Sequence, residues 1–298
     1  MSRASRHIER RALFASGAAA ALLAATGVSA GPSPVRGGRL RMALSGAART
    51  DQFDSRLKMG VFMQVAMAGL VFDTLTEVAA DGTLRGELAT AWQGSADARS
   101  WTFDLRRAVQ FHNGAHFTAR DVAASLEMHR AGLLTDLDRI ETINDTQLRI
   151  HLKLPDSDFP YRLSDARLVI YPADDVEQAM RDGIGTGVYR LHRFLPGRQV
   201  IGQRVDRHYK DGTAGWFDTV ELVSIPSDLV RIEALQDGFV DVADVSGTDL
   251  SQGLAGFALL PDARHASTAA HEKLRMPLAV GTRAPLDNFR AAERWWMG

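Results

Sequence analysis

Two histidines four positions apart form the most metal-like pattern in this chain. On a helix, His112 and His116 would share one face, where two imidazoles can bind a metal ion. Asn113-Gly114 between them breaks a helix, and a zinc site needs three or four ligands, whereas only Asp121 follows nearby. The sequence therefore predicts a turn with exposed histidines and no metal site. A metal-dependent hydrolase that uses His112 and His116 is the least supported of three possible functions.

The other reactive residue types do not form a catalytic set. Gly183, Gly185 and Gly187 suggest a phosphate-binding loop, but no Lys-Ser/Thr follows and a strand comes next, so a tight backbone crossing between two domains fits better. Asp156 and Asp158 lie close in sequence, yet prolines bracket them, which indicates a solvated loop. No serine lies in a Gly-x-Ser-x-Gly elbow. We therefore expect a binding protein without a cofactor rather than an enzyme.

Composition excludes several further classes of function. The 298 residues carry a formal net charge of −1, so no basic excess points to a nucleic-acid partner. Cysteine is absent, which excludes disulfides, thiolate metal sites and cysteine nucleophiles. A hydrophobic share of 45% and a charged share of 24% are typical of a globular protein with a substantial core.

The first thirty residues have the pattern of an export signal. Four arginines within the first eleven positions precede an apolar stretch over 12–25, and Val28-Ser29-Ala30 supplies the small residues of a cleavage site. The stretch falls short of the roughly 20 residues that span a bilayer, which disfavours a retained anchor. We expect cleavage after Ala30 and a periplasmic protein. Adjacent Arg10-Arg11 indicates the twin-arginine route, with a general secretory signal as the open alternative.

Apolar periodicity predicts the elements that would position these residues. Alternation predicts strands over Arg39–Leu44 and Ser100–Arg106 and a hairpin over Ile140–Leu154. Further strands are predicted over Thr74–Val78, Phe217–Ile225 and Val240–Val245, and on both sides of a turn at Pro196-Gly197. Helices are predicted over Val61–Val71, from Thr118 onward and over Ser227–Gln236. Thr118 and Asp121 form a capping-box pattern. Strands and helices without strict alternation predict an α/β fold with a mixed sheet.

Four groups of segments, in this order and spacing, resemble the extracellular solute-binding proteins of family 5, which serve peptide and nickel ABC transporters. They are Gly69–Leu75 with Ala80–Gly82 and Glu87–Trp92; Trp101–Arg106 with Val109–Gly114 and Phe117–Val122; Gly185–Tyr189 with Val205–Tyr209; and Ala234–Gly238 with Val240–Ala243. The terminal Arg290–Trp296 is also similar to the end of many family members.

The resemblance implies a periplasmic-binding-protein-like clamshell whose second lobe is largely missing here. Residues 31–245 would form one lobe with an inserted smaller subdomain. Residues 246–284 are only about 40 in number, where the family has a whole lobe, and we expect a linker or a weakly structured remnant. Residues 285–298 would form a short helix docked on the first lobe, with Trp295-Trp296 as its anchor rather than a stacking platform.

The resemblance also implies a function: the substrate-binding component of an ABC transporter, which delivers peptides or similar small solutes to an inner-membrane permease. Ligand contacts would come from the helix and from the glycine-rich crossing, at Phe62, Val65, Met67, Phe72, Gly185, Thr186, Gly187 and Tyr189. Core packing is the alternative for each of these residues. A single-lobe interaction protein, or a remnant that no longer transports, is the alternative function.

Overall fold

A seven-stranded mixed sheet forms the body of the chain. The computed structural model describes residues 36–78, 83–245, 257–259 and 273–277. In chain order the strands of this main sheet are β1 (Arg39–Leu44), β8 (Tyr189–Leu195), β9 (Gln199–Arg204), β10 (Thr219–Ser224), β11 (Val242–Val245), β12 (Phe257–Leu259) and β13 (Lys273–Pro277). Their order across the sheet is β12-β13-β11-β1-β10-β9-β8.

Strand β1 lies at the centre of the sheet and sets its direction. It runs parallel to both neighbours, with Arg39 opposite Thr219 in β10 and Met42 opposite Val242 in β11. The flanking pairs β10–β9, β9–β8, β11–β13 and β13–β12 are antiparallel. We call the side of the sheet where β1 ends its carboxyl end, and the opposite side its amino end.

An inserted subdomain follows the first helical segment of the chain and begins at Thr76. It contains a two-stranded ribbon, a four-stranded antiparallel sheet of order β4-β5-β7-β6, and a helix. The elements are β2 (Thr76–Val78), β3 (Leu84–Gly86), β4 (Ala89–Gly94), β5 (Ser100–Leu105), α2 (Ala119–Glu127), β6 (Leu137–Asn144) and β7 (Gln147–Leu152). Leu148, Ile150 and Leu152 in β7 face its own buried core, as their alternation predicts.

The first helix covers one face of the main sheet. Helix α1 (Val61–Gln64) continues directly as a π-helix over Val65–Val71, and most of its side chains are buried. It packs with Leu40, Met42 and Leu44 of β1 in the main core. Three further short helices follow: α3 (Phe159–Arg162), a 3-10 turn (Ala173–Asp175) leading into α4 (Val176–Asp182), and α5 (Asp228–Gln236).

Helix α5 covers the opposite face of the sheet. Leu235 packs with Ala43 of β1 and Ala243 of β11, the small residues on this face. Arg231 of α5 is almost fully buried and pairs with Asp244, also buried, at 2.6 Å. Among the helices in the described part of the chain, none combines the length and apolarity needed to cross a bilayer.

Most predicted elements are present, and two features differ from the prediction. The Val61–Val71 helix is buried as expected, but its π-helical form has no sequence signal. The capping box of Thr118 and Asp121 is formed on both sides. For residues 246–284 the sequence predicts a linker or a weakly structured remnant of the second lobe. The strands β12 and β13 lie within this segment and pair in the main sheet, and the bounds of the segment stay a prediction. The sequence of β13 contains a weak strand pattern. Apolar and polar residues alternate in Lys273-Leu274-Arg275-Met276 as they do in Arg39-Leu40-Arg41-Met42, but the segment is too short to predict a strand among its polar neighbours. The signal peptide and the C-terminal helix lie outside the described residues.

Candidate functional site

A loop at the carboxyl end of the main sheet is the first candidate surface. In open α/β sheets, ligands bind outside the carboxyl ends of the parallel strands. The loop of residues 45–60, here called the carboxyl-end loop, leaves β1 at this point and returns to start α1. The amide of Phe62 donates to the Ser45 carbonyl at 3.2 Å. Gly60 lies so close to Gly46 that a Cβ on Gly60 would be 2.1 Å from the Gly46 carbonyl oxygen.

Buried Asp244 fixes the beginning of this loop. Its carboxylate accepts hydrogen bonds from the Ser45 amide at 3.0 Å and from the Ser45 hydroxyl, while Arg231 neutralises its charge. Arg231 also donates to the carbonyls of Ile225 and Pro226. Because β11 runs parallel to β1, the chain leaves β11 at this same end of the sheet. The buried Arg231–Asp244 ion pair thus connects the carboxyl-end loop to β11.

A buried polar cluster fixes the middle of the carboxyl-end loop. The Ser55 amide donates to the Tyr171 hydroxyl at 3.1 Å, and that hydroxyl donates to the Phe53 carbonyl at 2.7 Å. The Ser55 hydroxyl lies 3.1 Å from Nε2 of His129. Burial is the main cause that lowers the pKa of His129, so the neutral imidazole is the form that the fold favours. Ser55 is fully buried, so it is a structural group and no nucleophile.

The carboxyl-end loop exposes two cationic side chains and one apolar side chain. Arg49, Lys58 and Leu57 are exposed there, with Leu57 41% exposed. Neither Arg49 nor Lys58 has an ion-pair partner among the described residues. The backbone of the loop at Ala48 and Arg49 packs against Gly197, where a Cβ would be 2.8 Å from the Ala48 carbonyl carbon. The loop therefore presents charge from a well-supported backbone.

The segment Gly183–Gly187, here called the glycine-rich crossing, lies at the amino end of the sheet. Tyr189 pairs with Arg204, and the register through β9 and β10 places this pair just before Arg39 of β1. At about 3.3 Å per residue, this level lies roughly 20 Å from Ser45, measured along β1. Gly187 donates from its amide to the Val71 carbonyl at 2.9 Å. A Cβ on Gly187 would lie 2.2 Å from the Leu70 carbonyl oxygen. Only glycine permits this close approach of two backbones.

Side chains on both sides hold the crossing. The Thr186 hydroxyl donates to buried Asp73 at 2.9 Å. His208 Nε2 lies 2.8 Å from the Thr186 carbonyl oxygen. His112 accepts from the Gly185 amide at Nδ1, at 3.4 Å, and its Nε2 lies 2.8 Å from the Gly187 carbonyl oxygen. Burial lowers the pKa of His112, which matches a neutral imidazole with its proton on Nε2.

A buried lysine joins the main lobe to the subdomain beside this crossing. Lys210 is 7% exposed and pairs with Glu87, itself 3% exposed, and with Glu77 at 3.0 Å. Glu87 also accepts from the Thr74 amide at 2.8 Å and from the Thr74 hydroxyl. A charge pair in this position is costly to bury but strongly destabilising to break. The network therefore fixes the two bodies relative to each other.

A cavity of about 250 Å³ opens at the amino end of the sheet, and we call it the amino-end cavity. Its walls are Gln110 to His112 with Gly114, the backbone of Thr186-Gly187, Arg190, and the connection from Arg204 to His208. The prediction of exposed turn histidines is correct for His116 and wrong for His112, which is half-buried and bonded to the crossing. Within the described residues, no group of three metal-binding side chains occurs.

The eight residues predicted to contact ligand do not form one surface. Phe62, Val65, Met67, Phe72 and Tyr189 have at most 5% of their surface exposed and fill the main core. Phe62 lies near the carboxyl end of the sheet, where its amide donates to the Ser45 carbonyl, and Tyr189 lies near the amino end, where it pairs with Arg204. Gly185 packs against the Val71 carbonyl.

Of the eight, only Thr186 and Gly187 border the amino-end cavity. Solute contact by the eight stays a prediction, and the burial of the apolar five favours packing. The carboxyl-end loop was not predicted as a site, although its position after the first parallel strand was a usable signal.

Comparison with known proteins agrees with this architecture. The sequence profile of the bacterial extracellular solute-binding proteins, family 5 Middle, matches residues 83–288. The glutathione-binding protein GsiB of Pectobacterium atrosepticum is 28% identical over 245 residues, which cover 78% of this chain and 45% of that protein. The nickel-binding periplasmic protein of Escherichia coli is 26% identical over 196 residues, covering 60% and 36%.

Solved structures of periplasmic binding proteins share this fold. The periplasmic binding protein AgaA of A. tumefaciens R10, in complex with agropinic acid, is 26% identical with a TM-score of 0.66, over 74% of this chain and 47% of that one. DppA of Helicobacter pylori, in complex with a peptide, shares the fold at 23% identity and a TM-score of 0.67, over 76% and 51%. The chain spans about half the length of the relatives it matches. The chain belongs to the bacterial extracellular solute-binding proteins, family 5.

Proposed function

We propose that this chain is a periplasmic solute-binding protein that presents peptides or similar small solutes to an ABC permease in the inner membrane. The single observation that carries the proposal is the carboxyl-end loop: a supported, cationic surface at the end of the sheet where ligands bind in this type of fold. Arg49 and Lys58 would attract the carboxylate of a peptide. The names of the relatives, which include glutathione-, dipeptide- and nickel-binding proteins, support a small-solute ligand.

The half-length match bears on affinity. A closed site normally buries about 70–90% of a ligand's surface. A surface on one lobe leaves the far side of the ligand in water, and each 100 Å² of apolar surface left exposed forgoes about 2.5 kcal/mol. That loss corresponds to roughly 70-fold in affinity. The 298 residues alone should therefore bind solute weakly, with a dissociation constant far above the nanomolar range.

Calorimetry with a library of di- and tripeptides tests the proposal. We expect weak binding that is reduced at least several-fold by Arg49→Gln. Arg181→Gln on α4 is the matched control, since the exposed Arg181 side chain bonds within the described residues to nearby Gln178 alone. Silence across the library would contradict the proposal. Expression in a bacterium tests export: we expect a periplasmic protein whose N-terminus, by mass spectrometry, is Gly31.

The half-length match favours a second candidate, a single-lobe interaction protein or a remnant that no longer transports. This candidate predicts a folded, exported protein that binds no peptide in the library. Binding at micromolar concentration or tighter by the same purified chain would exclude it.

A further inference from the structure

We propose that the amino-end cavity binds a small monocarboxylate, at a site separate from the carboxyl-end loop. The cavity lies beside Arg204 and Val205, past the level of Arg39, whereas the loop begins at Ser45. The two surfaces are thus separated by roughly the length of β1, about 20 Å at 3.3 Å per residue. A ligand in the cavity would not touch a solute held at the carboxyl end.

Two guanidinium groups at the cavity supply its free positive charge. Arg190 and Arg207 are exposed, and no carboxylate among the described residues lies within ion-pair distance of either. Within the described part of the chain, the Arg190 guanidinium donates only to the Gln203 side chain, at 3.2 Å. A guanidinium matches the two oxygens of a carboxylate with two parallel hydrogen bonds, which makes arginine the usual residue for recognising this group.

The third arginine of the cavity is already used by the fold. Arg204 is 8% exposed and donates to the carbonyls of Gly215 and Val205 and to the carboxylate of Asp211. It therefore shapes the wall but contributes little charge. The two histidines of the wall are also engaged, since both bond through Nε2 to carbonyls of the glycine-rich crossing.

The remaining charge balance selects a monoanion. Arg190 and Arg207 contribute two positive charges and exposed Asp206 one negative charge, which leaves a net charge of +1. A carboxylate neutralises this charge, whereas a dianionic phosphate would leave an excess negative charge beside Asp206. Coulomb repulsion near a protein surface is large enough to discriminate between them.

The size and lining of the cavity select a small ligand. Its volume of about 250 Å³ lies below the roughly 300–1,000 Å³ of sites for drug-sized ligands. Phe111 and Val205 add apolar surface beside the arginines. A short aliphatic chain on the carboxylate could pack there, so a short-chain fatty acid, or an acidic side chain of a docked peptide, has the required chemistry.

Titration calorimetry of the full chain with sodium butyrate at low ionic strength tests this inference. We expect one-to-one binding, and weaker binding of inorganic phosphate at pH 8 and of uncharged butanol. Arg190→Gln and Arg207→Gln should each weaken butyrate binding at least about tenfold, the lower limit for loss of one charged hydrogen bond. Arg139→Gln removes another exposed arginine, on β6, and should leave binding unchanged. Added salt should weaken binding, because the charges are exposed.

Three outcomes would overturn the inference: no butyrate binding, equal loss in the Arg139→Gln control, or phosphate binding as tightly as butyrate. An acidic tetrapeptide that competes with butyrate would identify the ligand group as part of a peptide, and failure to compete would favour the free acid. The result is independent of the solute function. Arg49→Gln should affect peptide binding alone, and Arg207→Gln should affect butyrate binding alone.

Discussion

Replacing Gly187 by alanine should destabilise the protein by steric conflict alone. Gly187 has no positive φ, so alanine has no backbone strain there. Its Cβ would instead lie 2.2 Å from the Leu70 carbonyl oxygen and 2.6 Å from the Val71 carbonyl carbon. Both contacts are with backbone atoms of the π-helix, which cannot rotate away as a side chain can. The crossing and the helix must therefore separate.

The expected magnitude follows from two terms. Overpacking a filled core costs about 1–3 kcal/mol, and separation weakens the 2.9 Å hydrogen bond from the Gly187 amide to Val71, worth about 0.5–1.5 kcal/mol. The two ranges add to about 1.5–4.5 kcal/mol in the free energy of unfolding. At about 2–4 °C per kcal/mol, this corresponds to a Tm lowered by roughly 3–18 °C.

Urea and thermal unfolding followed by circular dichroism provide the assay, with Gly132→Ala as the matched control. Gly132 also has no positive φ, and the nearest atom to its Cβ would be the His129 carbonyl oxygen at 3.8 Å, an ordinary contact. Alanine at such a position is neutral or slightly stabilising. If Gly187→Ala unfolds within about 0.5 kcal/mol of Gly132→Ala, the reasoning about close approach at the crossing is refuted.

Two further predictions concern buried ionisable groups. Lys210→Met should lower the free energy of unfolding by about 3–5 kcal/mol in urea titrations, because Glu87 keeps a buried charge without its lysine. Exposed Lys153→Met should change it by less than about 0.5 kcal/mol, and adding Glu87→Gln to Lys210→Met should restore part of the loss. For His129 the folded pKa is lowered, so the unfolded chain binds more protons in acid. Stability should then fall as pH drops below about 6.5, by up to about 1.4 kcal/mol per pH unit, and His129→Gln should reduce the slope. A variant with an undiminished slope would assign the dependence to His112, whose pKa is also lowered.

Local patterns predicted the elements well because those patterns reflect local physics. Alternation located β1 and β7, and the Thr118–Asp121 pair located the start of α2, since each depends on neighbours within a few residues. The resemblance in segments spread from Gly69 to Ala243 predicted the family, which the profile match confirms. The mixed sheet with an inserted subdomain is likewise confirmed.

What sequence reasoning missed depends on distant partners. Lys210 is indistinguishable from a surface lysine until Glu87, 123 positions earlier, is brought against it. His112 looked like a turn residue because its partners, Gly185 and Gly187, lie more than 70 positions away. Four of the predicted ligand residues lie in or next to the apolar helix, and the same apolar character places Phe62 and Met67 in the core. Apolarity alone does not separate a binding surface from an interior.

The central position of β1 also shapes how this chain must be synthesised. Its partners arrive late: Arg41 bonds to Asp241, 200 residues further along, and Arg39 to Glu221. The subdomain between Thr76 and Leu152 pairs its strands at short range, so it can form on the ribosome first. Strand β1 is synthesised before the subdomain. Its buried residues Leu40, Met42 and Leu44 therefore stay without their partner strands until most of the polypeptide has been translated. A chaperone that shields this early hydrophobic strand would raise the yield of native protein more than one that acts on the subdomain.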